Sequence, residues 1–84
     1  MSDDLERGER RNGNTVMEKL GYLRFVRGVR IIDLAKRIGV NHQVLSGYER
    51  GLTNVPFWVV EAICTVFGYK IIILDTKGRK VYEN

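Results

Sequence analysis

The sequence has very few of the residues from which catalytic and metal sites are built. Its 84 residues include one cysteine, one histidine and one proline. Without a second cysteine the chain cannot form an internal disulfide, and one cysteine with one histidine offers little from which to build a soft-ligand metal site or a catalytic triad. A glycine-rich phosphate-binding loop is missing as well. We therefore predict no enzymatic activity, no cofactor and no metal, and we interpret Cys64 as a small core residue in a reducing, cytoplasmic compartment.

Long hydrophobic runs are also missing, because the longest is far too short to span a membrane. The first 14 residues are too polar for a secretory signal. They contain four acidic residues against three arginines, a net charge of −1, and we interpret residues 1–14 as a disordered polar tail. Since the whole chain has a net charge of +4, the remainder carries +5. This excess favours an acidic partner such as nucleic acid, although many basic domains bind none.

Helical periodicity predicts four helices, at roughly residues 15–28, 30–39, 42–51 and 57–67. The first begins with the capping-box sequence TVME, in which Thr15 is the N-cap. The second lacks a good N-cap, whereas Asn41 is a good one for the third. The third helix is expected to bury either Val44 or Leu45, together with Tyr48. Pro56 suits the first turn of the fourth, and Gly68 is expected to end it in a left-handed conformation.

The C-terminal segment YKIIILDTKGRKVYE changes in character. β-Branched residues, a turn signal at Asp75–Gly78 and a second short apolar run predict a β-hairpin. The first strand, Tyr69–Leu74, ends in four consecutive apolar residues, although a strand with one wet face should alternate. We expect this strand to be covered on both faces or paired outside the chain. The predicted fold is therefore mainly α, with four helices followed by a C-terminal hairpin, residues 69–84.

The fourth helix carries two apolar stripes, which predict two buried faces. One stripe contains Phe57, Val60, Cys64 and Phe67 and should face the domain core. The other contains Val59, Ile63 and Val66. With the apolar strand, the second stripe favours homodimerisation through the fourth helix and the strand. The predicted interface consists of Val59, Ile63, Val66, Ile71, Ile72, Ile73 and Leu74.

The central segment LRFVRGVRIIDLAKRIGVNHQVLSGYERG resembles the Cro/C1-type (XRE) helix-turn-helix family, which has the lambda repressor-like fold. The matching residues, in register and without a gap, are Leu23, Arg24, Gly28, Leu34, Ala35, Gly39, Val40, Tyr48, Glu49 and Gly51. The resemblance covers about residues 15–69, so residues 15–68 are expected to form a DNA-binding domain. The layout of the C-terminal strand is similar to that of HipB-like antitoxins, in which such a strand pairs with its copy in the dimer.

The resemblance implies that the third helix lies in the DNA major groove. The implied base-reading residues are His42, Gln43, Val44, Ser46 and Gly47. Among these, Gln43 can pair bidentately with adenine, whereas His42 could equally be a plain solvated side chain. Gly47 has no side chain, which either permits a closer approach to DNA or leaves one base pair unread. Candidate phosphate contacts are Arg24, Arg30, Lys36, Arg37, Asn41, Arg50, Thr53 and Asn54. The family also implies a structural salt bridge between Arg24 and Glu49.

The chain departs from the family pattern in two ways. Many relatives have glutamine at the start of the second helix, where this sequence has Ile31. The loop after the third helix reads LTNV and has no cation, although Arg50 lies at its edge. We therefore expect fewer phosphate contacts than in more basic relatives.

Two functions fit these features. The first is a cytoplasmic, nucleoid-associated transcriptional regulator, a dimeric repressor that reads a palindromic operator in double-stranded DNA. The alternative is an antitoxin-like protein-interaction module that neutralises a partner protein and also autoregulates its operon. The surface for such a partner, a toxin or an effector, would contain Phe25, Val26, Ile31, Ile32 and Trp58.

Overall fold

The computed structural model describes residues 15–84, so the predicted tail and the cap predicted for the Thr15 side chain lie outside the described residues. The described part contains four α-helices followed by a two-stranded antiparallel hairpin. The elements are α1 (Thr15–Val26), α2 (Ile31–Ile38), α3 (His42–Glu49), α4 (Phe57–Phe67), β1 (Ile72–Leu74) and β2 (Lys80–Glu83). The predicted fold class is confirmed, although β1 begins at Ile72 and is shorter than the predicted strand.

The helix ends follow the capping residues of the sequence. Asn41 caps α3, because its side-chain oxygen accepts a hydrogen bond of 2.7 Å from the amide of Gln43. Gly39 and Gly68 end α2 and α4 with φ angles of 82° and 77°, a conformation that glycine adopts at little cost. At the start of α2, Arg30 has no side-chain capping bond, as its sequence indicated.

One apolar core joins the four helices. In residues 15–84 the buried apolar side chains are Met17, Leu20, Leu34, Ala35, Leu45, Val59, Val60, Ile63, Cys64 and Phe67. Every helix contributes to this set, and no polar or charged residue of the described part is buried. The core is therefore complete within a single chain, and burial raises the pKa of its Cys64 thiol.

Most residues of both apolar stripes of α4 lie in this core, which corrects part of the predicted dimer interface. Val59 and Ile63 are 0% and 1% exposed in the single chain, so they have no surface to offer to a second copy. The reason is that α1 and α2 both pack against α4 and cover two of its faces from within. Phe57, predicted to face the core, is instead exposed in the first turn, where its ring contacts that of Tyr82 with 5.7 Å between centroids.

The hairpin has a bulge and lies against the outside of α4. β1 pairs with β2 with Ile73 opposite Tyr82, and the register shifts between Ile73 and Leu74. The hydroxyl of Tyr82 donates to the carboxylate of Glu61 on α4, and this bond raises the pKa of Tyr82. In the turn, the Asp75 carboxylate accepts hydrogen bonds of 2.9 Å from two backbone amides, including that of Arg79. The strands are therefore held against α4 by a polar and an aromatic contact of Tyr82, while Tyr69 and Ile71, just before β1, pack against the core.

Candidate nucleic-acid interface

The third helix presents a polar first turn to solvent. Leu45 is fully buried and anchors α3 against α1 and α2. Successive residues of an α-helix are rotated by about 100°, so Gln43 and Gly47 lie on the side opposite Leu45. His42, Gln43 and Val44 are exposed, whereas Ser46 and Gly47 are half-buried. The predicted base-reading residues thus include three that are open to a ligand, on a helix whose start is fixed by a cap.

The connection between α2 and α3 is short and tightly bonded. The amides of Gly39 and Val40 both donate to the carbonyl oxygen of Ala35, at 2.9 and 3.0 Å. Ala35 is itself buried beside Leu34. A small side chain at this position lets the two helices pack closely, and the left-handed glycine lets the chain turn between them. This geometry sets the orientation of α3 relative to the rest of the domain.

The Arg24–Glu49 salt bridge is present and two-pronged. Nε of Arg24 lies 2.8 Å from Oε2 of Glu49, and Nη2 donates to Oε1 at 3.0 Å. Nη1 donates to the carbonyl oxygen of Val29 at 2.7 Å. The two side chains are only 16% and 11% exposed. Because all three guanidinium nitrogens are bonded within the domain, the structure favours a structural role for Arg24 over a phosphate contact.

Gly21 makes room for this salt bridge, and sequence reasoning missed it. A Cβ atom at this position would lie 3.1 Å from both Cδ and Oε1 of Glu49, closer than an ordinary van der Waals contact. The glycine thus lets the carboxylate lie against the backbone of α1. The available signal was a glycine inside a helix, three residues before Arg24 and therefore on the same face.

The other predicted phosphate contacts lie at the surface with different partners. Arg30 pairs with Asp33 through bonds of 2.9 and 3.2 Å, and this partner lowers the pKa of the Asp33 carboxyl. The charge of Arg30 is thus balanced by a neighbour. The side chain of Asn41 is used as the helix cap. The remaining candidates are exposed, and they are Lys36, Arg37, Arg50, Thr53 and Asn54.

A comparison with protein-family models identifies the family to which these helices belong. A model described as a helix-turn-helix domain matches residues 6–70, which is most of the chain. The chain belongs to the helix-turn-helix domain family. This confirms the recognised family and is consistent with its Cro/C1-type branch, whereas the HipB-like strand layout stays a prediction. No curated protein and no solved structure matches the chain.

Membership of this family indicates that the chain binds DNA and has a role in transcription regulation. Residues 15–84 contain no group of three or more histidine, cysteine, aspartate or glutamate side chains that could hold a metal ion. In the same part of the chain, no helix is both long and apolar enough to cross a membrane.

Within the helix-turn-helix domain, the fold itself does not require glycine at position 47. A Cβ atom there would lie 3.7 Å from Oγ1 of Thr53, an ordinary van der Waals distance. The carbonyl oxygen of Gly47 accepts a bond of 2.9 Å from the amide of Leu52, so the loop after α3 lies against this residue. The expectation that Gly47 permits close approach of DNA stays a prediction, and the packing of the domain leaves room for it.

Arg27 is a second structural residue that sequence reasoning missed. Its guanidinium stacks on the rings of Phe67 and Tyr69, 4.8 and 5.6 Å from their centroids. The same group donates to the carbonyl oxygen of Phe67 and the hydroxyl of Tyr69, both at 3.2 Å. Arg27 thereby ties the end of α1 to the end of α4. The contact joins residues 40 or more positions apart, so no local pattern could reveal it.

Proposed function

We propose that the protein is a dimeric transcriptional repressor that reads a palindromic operator through the first turn of α3. The observation that carries the proposal is the exposed stretch His42–Val44, which the Asn41 cap and the buried Leu45 hold in a fixed orientation. A helix backbone that is already held in place loses little conformational entropy on binding, which favours specific recognition over loose electrostatic association.

Each part of the proposed interface has a chemical role. The amide of Gln43 can donate to and accept from adenine in the major groove, and His42 can donate to a guanine. Ser46 and Gly47 line the next turn of the helix. Phosphates on either side are met by the exposed Lys36, Arg37, Arg50, Thr53 and Asn54. This small number of cations predicts a moderate salt dependence, with a slope of about −0.9 for each phosphate neutralised.

The hairpin supports the dimer. Ile72, Ile73 and Leu74 are 50%, 44% and 56% exposed, so both faces of β1 present apolar surface. β1 pairs with β2 along one edge only, and a free apolar edge invites aggregation unless it is paired. Pairing β1 with the same strand of a second copy closes the interface by a twofold axis.

An apolar groove beside the strand extends this surface. It has a volume of about 620 Å³ and is lined by Val16 and Leu20 of α1, Val60 of α4, Ile71 just before β1, and Ile72 and Ile73 of β1. Ile71 and Val66 are half-buried in the single chain and have surface left for a partner. The proposed interface is thus centred on the strand rather than on α4. A twofold dimer of this kind would present its two recognition helices about one DNA turn apart, roughly 34 Å.

Selection from random-sequence duplexes tests the DNA-binding part. The protein should enrich a palindromic site, and Gln43→Ala should weaken binding to that site by about 1–3 kcal/mol while relaxing preference at one base pair. Lys77→Ala, in the exposed hairpin turn, is the matched control and should leave affinity unchanged. A reporter gene placed behind the selected site should be expressed less when the protein is present. Equal affinity of Gln43→Ala for selected and random DNA would show that α3 is not the reader.

Sedimentation of the intact protein at micromolar concentration tests the dimer. The double variant Ile72→Ser, Leu74→Ser alters only exposed side chains, so it should stay folded but become monomeric and lose high-affinity binding. Val26→Ser changes an equally exposed apolar residue at the end of α1 and should stay dimeric. A monomeric wild-type protein would refute both the dimer and the palindrome.

A second candidate function, binding of a partner protein, is favoured by exposed apolar residues away from the hairpin. Phe25, Val26, Ile32 and Trp58 are all exposed, whereas Ile31 packs against the core and drops out of the predicted patch. Phe25 is the most open of these at 74%. If the neighbouring gene encodes a toxin, co-expression should neutralise it, and Phe25→Ser should abolish neutralisation while DNA binding persists. Neutralisation that survives Phe25→Ser and Trp58→Ser would exclude this surface.

A further inference from the structure

The recognition helix has no cation with which to read guanine bidentately. None of the eight residues of α3, HQVLSGYE, is lysine or arginine. Bidentate bonding of arginine or lysine to guanine is the commonest base-specific contact in protein–DNA complexes. Its absence from α3 leaves a short set of base-reading chemistries, namely the amide of Gln43, one donor from His42, the hydroxyl of the half-buried Ser46, and apolar contact.

The source of apolar contact is Val44. Its side chain is 45% exposed, although it immediately precedes the fully buried Leu45. It belongs neither to the core nor to the apolar residues packed against the core. A β-branched residue also lowers helix stability slightly, because its χ1 rotation is restricted. Val44 thus lies outside the packed core of the single chain, and nearly half of its surface is open to a ligand.

In the major groove, the partner for an exposed valine is the 5-methyl group of thymine. This methyl is the only apolar group that unmodified base pairs present there. Gln43 and Val44 are consecutive residues, rotated by about 100° from each other, so they face different base pairs. An amide for adenine next to an apolar side chain for thymine matches two neighbouring A·T pairs.

We infer that Val44 is a specificity-determining residue which contacts a thymine methyl, so that Gln43 and Val44 together read adjacent A·T pairs in each half-site. This inference rests on the proposed DNA-binding function. It names the base pairs that the proposed interface reads and assigns Val44 a chemical partner.

Replacement of thymine by uracil tests the inference, because uracil lacks only the methyl group and keeps the same hydrogen bonds. After the site has been selected, each thymine of one half-site is replaced in turn, and affinities are measured at fixed salt. Burial of one methyl corresponds to about fourfold in affinity. One position should therefore show a loss of about fourfold with the wild-type protein. Val44→Ala should bind the thymine duplex correspondingly more weakly and should be insensitive to uracil at that position.

Two control variants separate this role from a general loss of binding. Gln43→Ala should bind more weakly yet still respond to uracil at the position assigned to Val44. Val26→Ala, the same change at an exposed valine on α1, should bind like wild type and respond normally. The inference is overturned if no thymine is sensitive, if Val44→Ala keeps the full response, or if the selected half-sites have G·C pairs at the positions that Gln43 and Val44 contact. In those cases a selected site that depends on Gln43 would still uphold the proposed function, whereas failure to select any site would refute both.

Discussion

The helical domain buries most of its apolar side chains, whereas the C-terminal hairpin leaves most of its own exposed. All the buried apolar side chains of the described residues lie between Met17 and Phe67, and none lies in the hairpin. The hairpin is instead ordered by its ladder and by surface ion pairs such as Lys70–Glu83 and Arg79–Asp75. Isolated two-stranded hairpins are marginally stable in water. The helical part therefore completes its own core, whereas the hairpin leaves Ile72, Ile73 and Leu74 exposed, and this is the surface that the proposed dimer would cover.

The largest expected difference between the two parts is in the free energy of unfolding when an isoleucine of each is replaced by alanine. Ile63→Ala should lower the free energy of unfolding by about 2–5 kcal/mol, because it leaves a cavity in a closed core. Ile72→Ala should change it by no more than about 0.5 kcal/mol at concentrations where the chain is monomeric. Urea denaturation at several protein concentrations measures both. The effect of Ile63→Ala should not depend on concentration, whereas that of Ile72→Ala should grow as dimers form. If the effect of Ile63→Ala on the free energy of unfolding depended on protein concentration, Ile63 would belong to a dimer interface after all.

Two carboxylate–arginine pairs, Arg24–Glu49 and Arg30–Asp33, allow a poorly exposed ion pair to be compared with a surface one. Glu49→Gln should cost about 1.5–3 kcal/mol, because it weakens charged hydrogen bonds in a poorly exposed pair. Asp33→Asn weakens a surface pair with Arg30, whose side chains are 76% and 49% exposed, and should leave the unfolding midpoint nearly unchanged. Thermal denaturation of both variants at low and high salt is the measurement. Equal effects of the two substitutions would show that the Arg24 pair does not stabilise the domain.

Two glycine-to-alanine changes test how tightly the helical domain is packed. Alanine is favoured over glycine in a helix by about 1 kcal/mol, so Gly47→Ala, which meets only an ordinary contact with Thr53, should stabilise the protein by up to this amount. Gly21→Ala should lose most of that gain, because the Glu49 carboxylate must move by a few tenths of an ångström. Chemical denaturation compares the two variants directly. If Gly21→Ala proves the more stabilising, the carboxylate does not need the space.

Acid should loosen the hairpin. The amide of Arg79 holds the pKa of the Asp75 carboxyl low, and Lys70 and Lys80 do the same for Glu83. A carboxyl whose folded pKa is lowered stabilises the fold above its ordinary pKa, here 3.8 and 4.5, and loses that contribution as pH falls through the lower value. Amide chemical shifts of Lys77 and Arg79 should therefore change below about pH 4, and Asp75→Asn should remove most of this change. Amide shifts in the hairpin that stay constant down to pH 2 would contradict the assignment.

The local signals of the sequence were sufficient for most of the fold. Asn41, Gly39 and Gly68 each appear in the structure with the capping role that their residue type predicts, because capping depends on one side chain or one φ angle. The hairpin and its turn follow equally from a run of β-branched residues and an Asp–Gly turn. α3 was located by its register within the family pattern, but its periodicity left open whether Val44 or Leu45 is the buried residue, and the structure buries Leu45.

What the sequence could not decide was which chain covers each apolar face. Periodicity showed correctly that α4 has two buried faces, but a pattern on one helix cannot say whether its neighbour is α2 of the same molecule or a second copy. Only the packing of α1 and α2 places Val59 and Ile63 inside the domain. The same holds for Gly21 against Glu49 and for Arg27 between two rings, because these contacts join residues far apart in the chain. Local propensity thus determined the elements and their ends, whereas the burial of each face and the orientation of the reading helix were decided by contacts that exist only once the helices have packed.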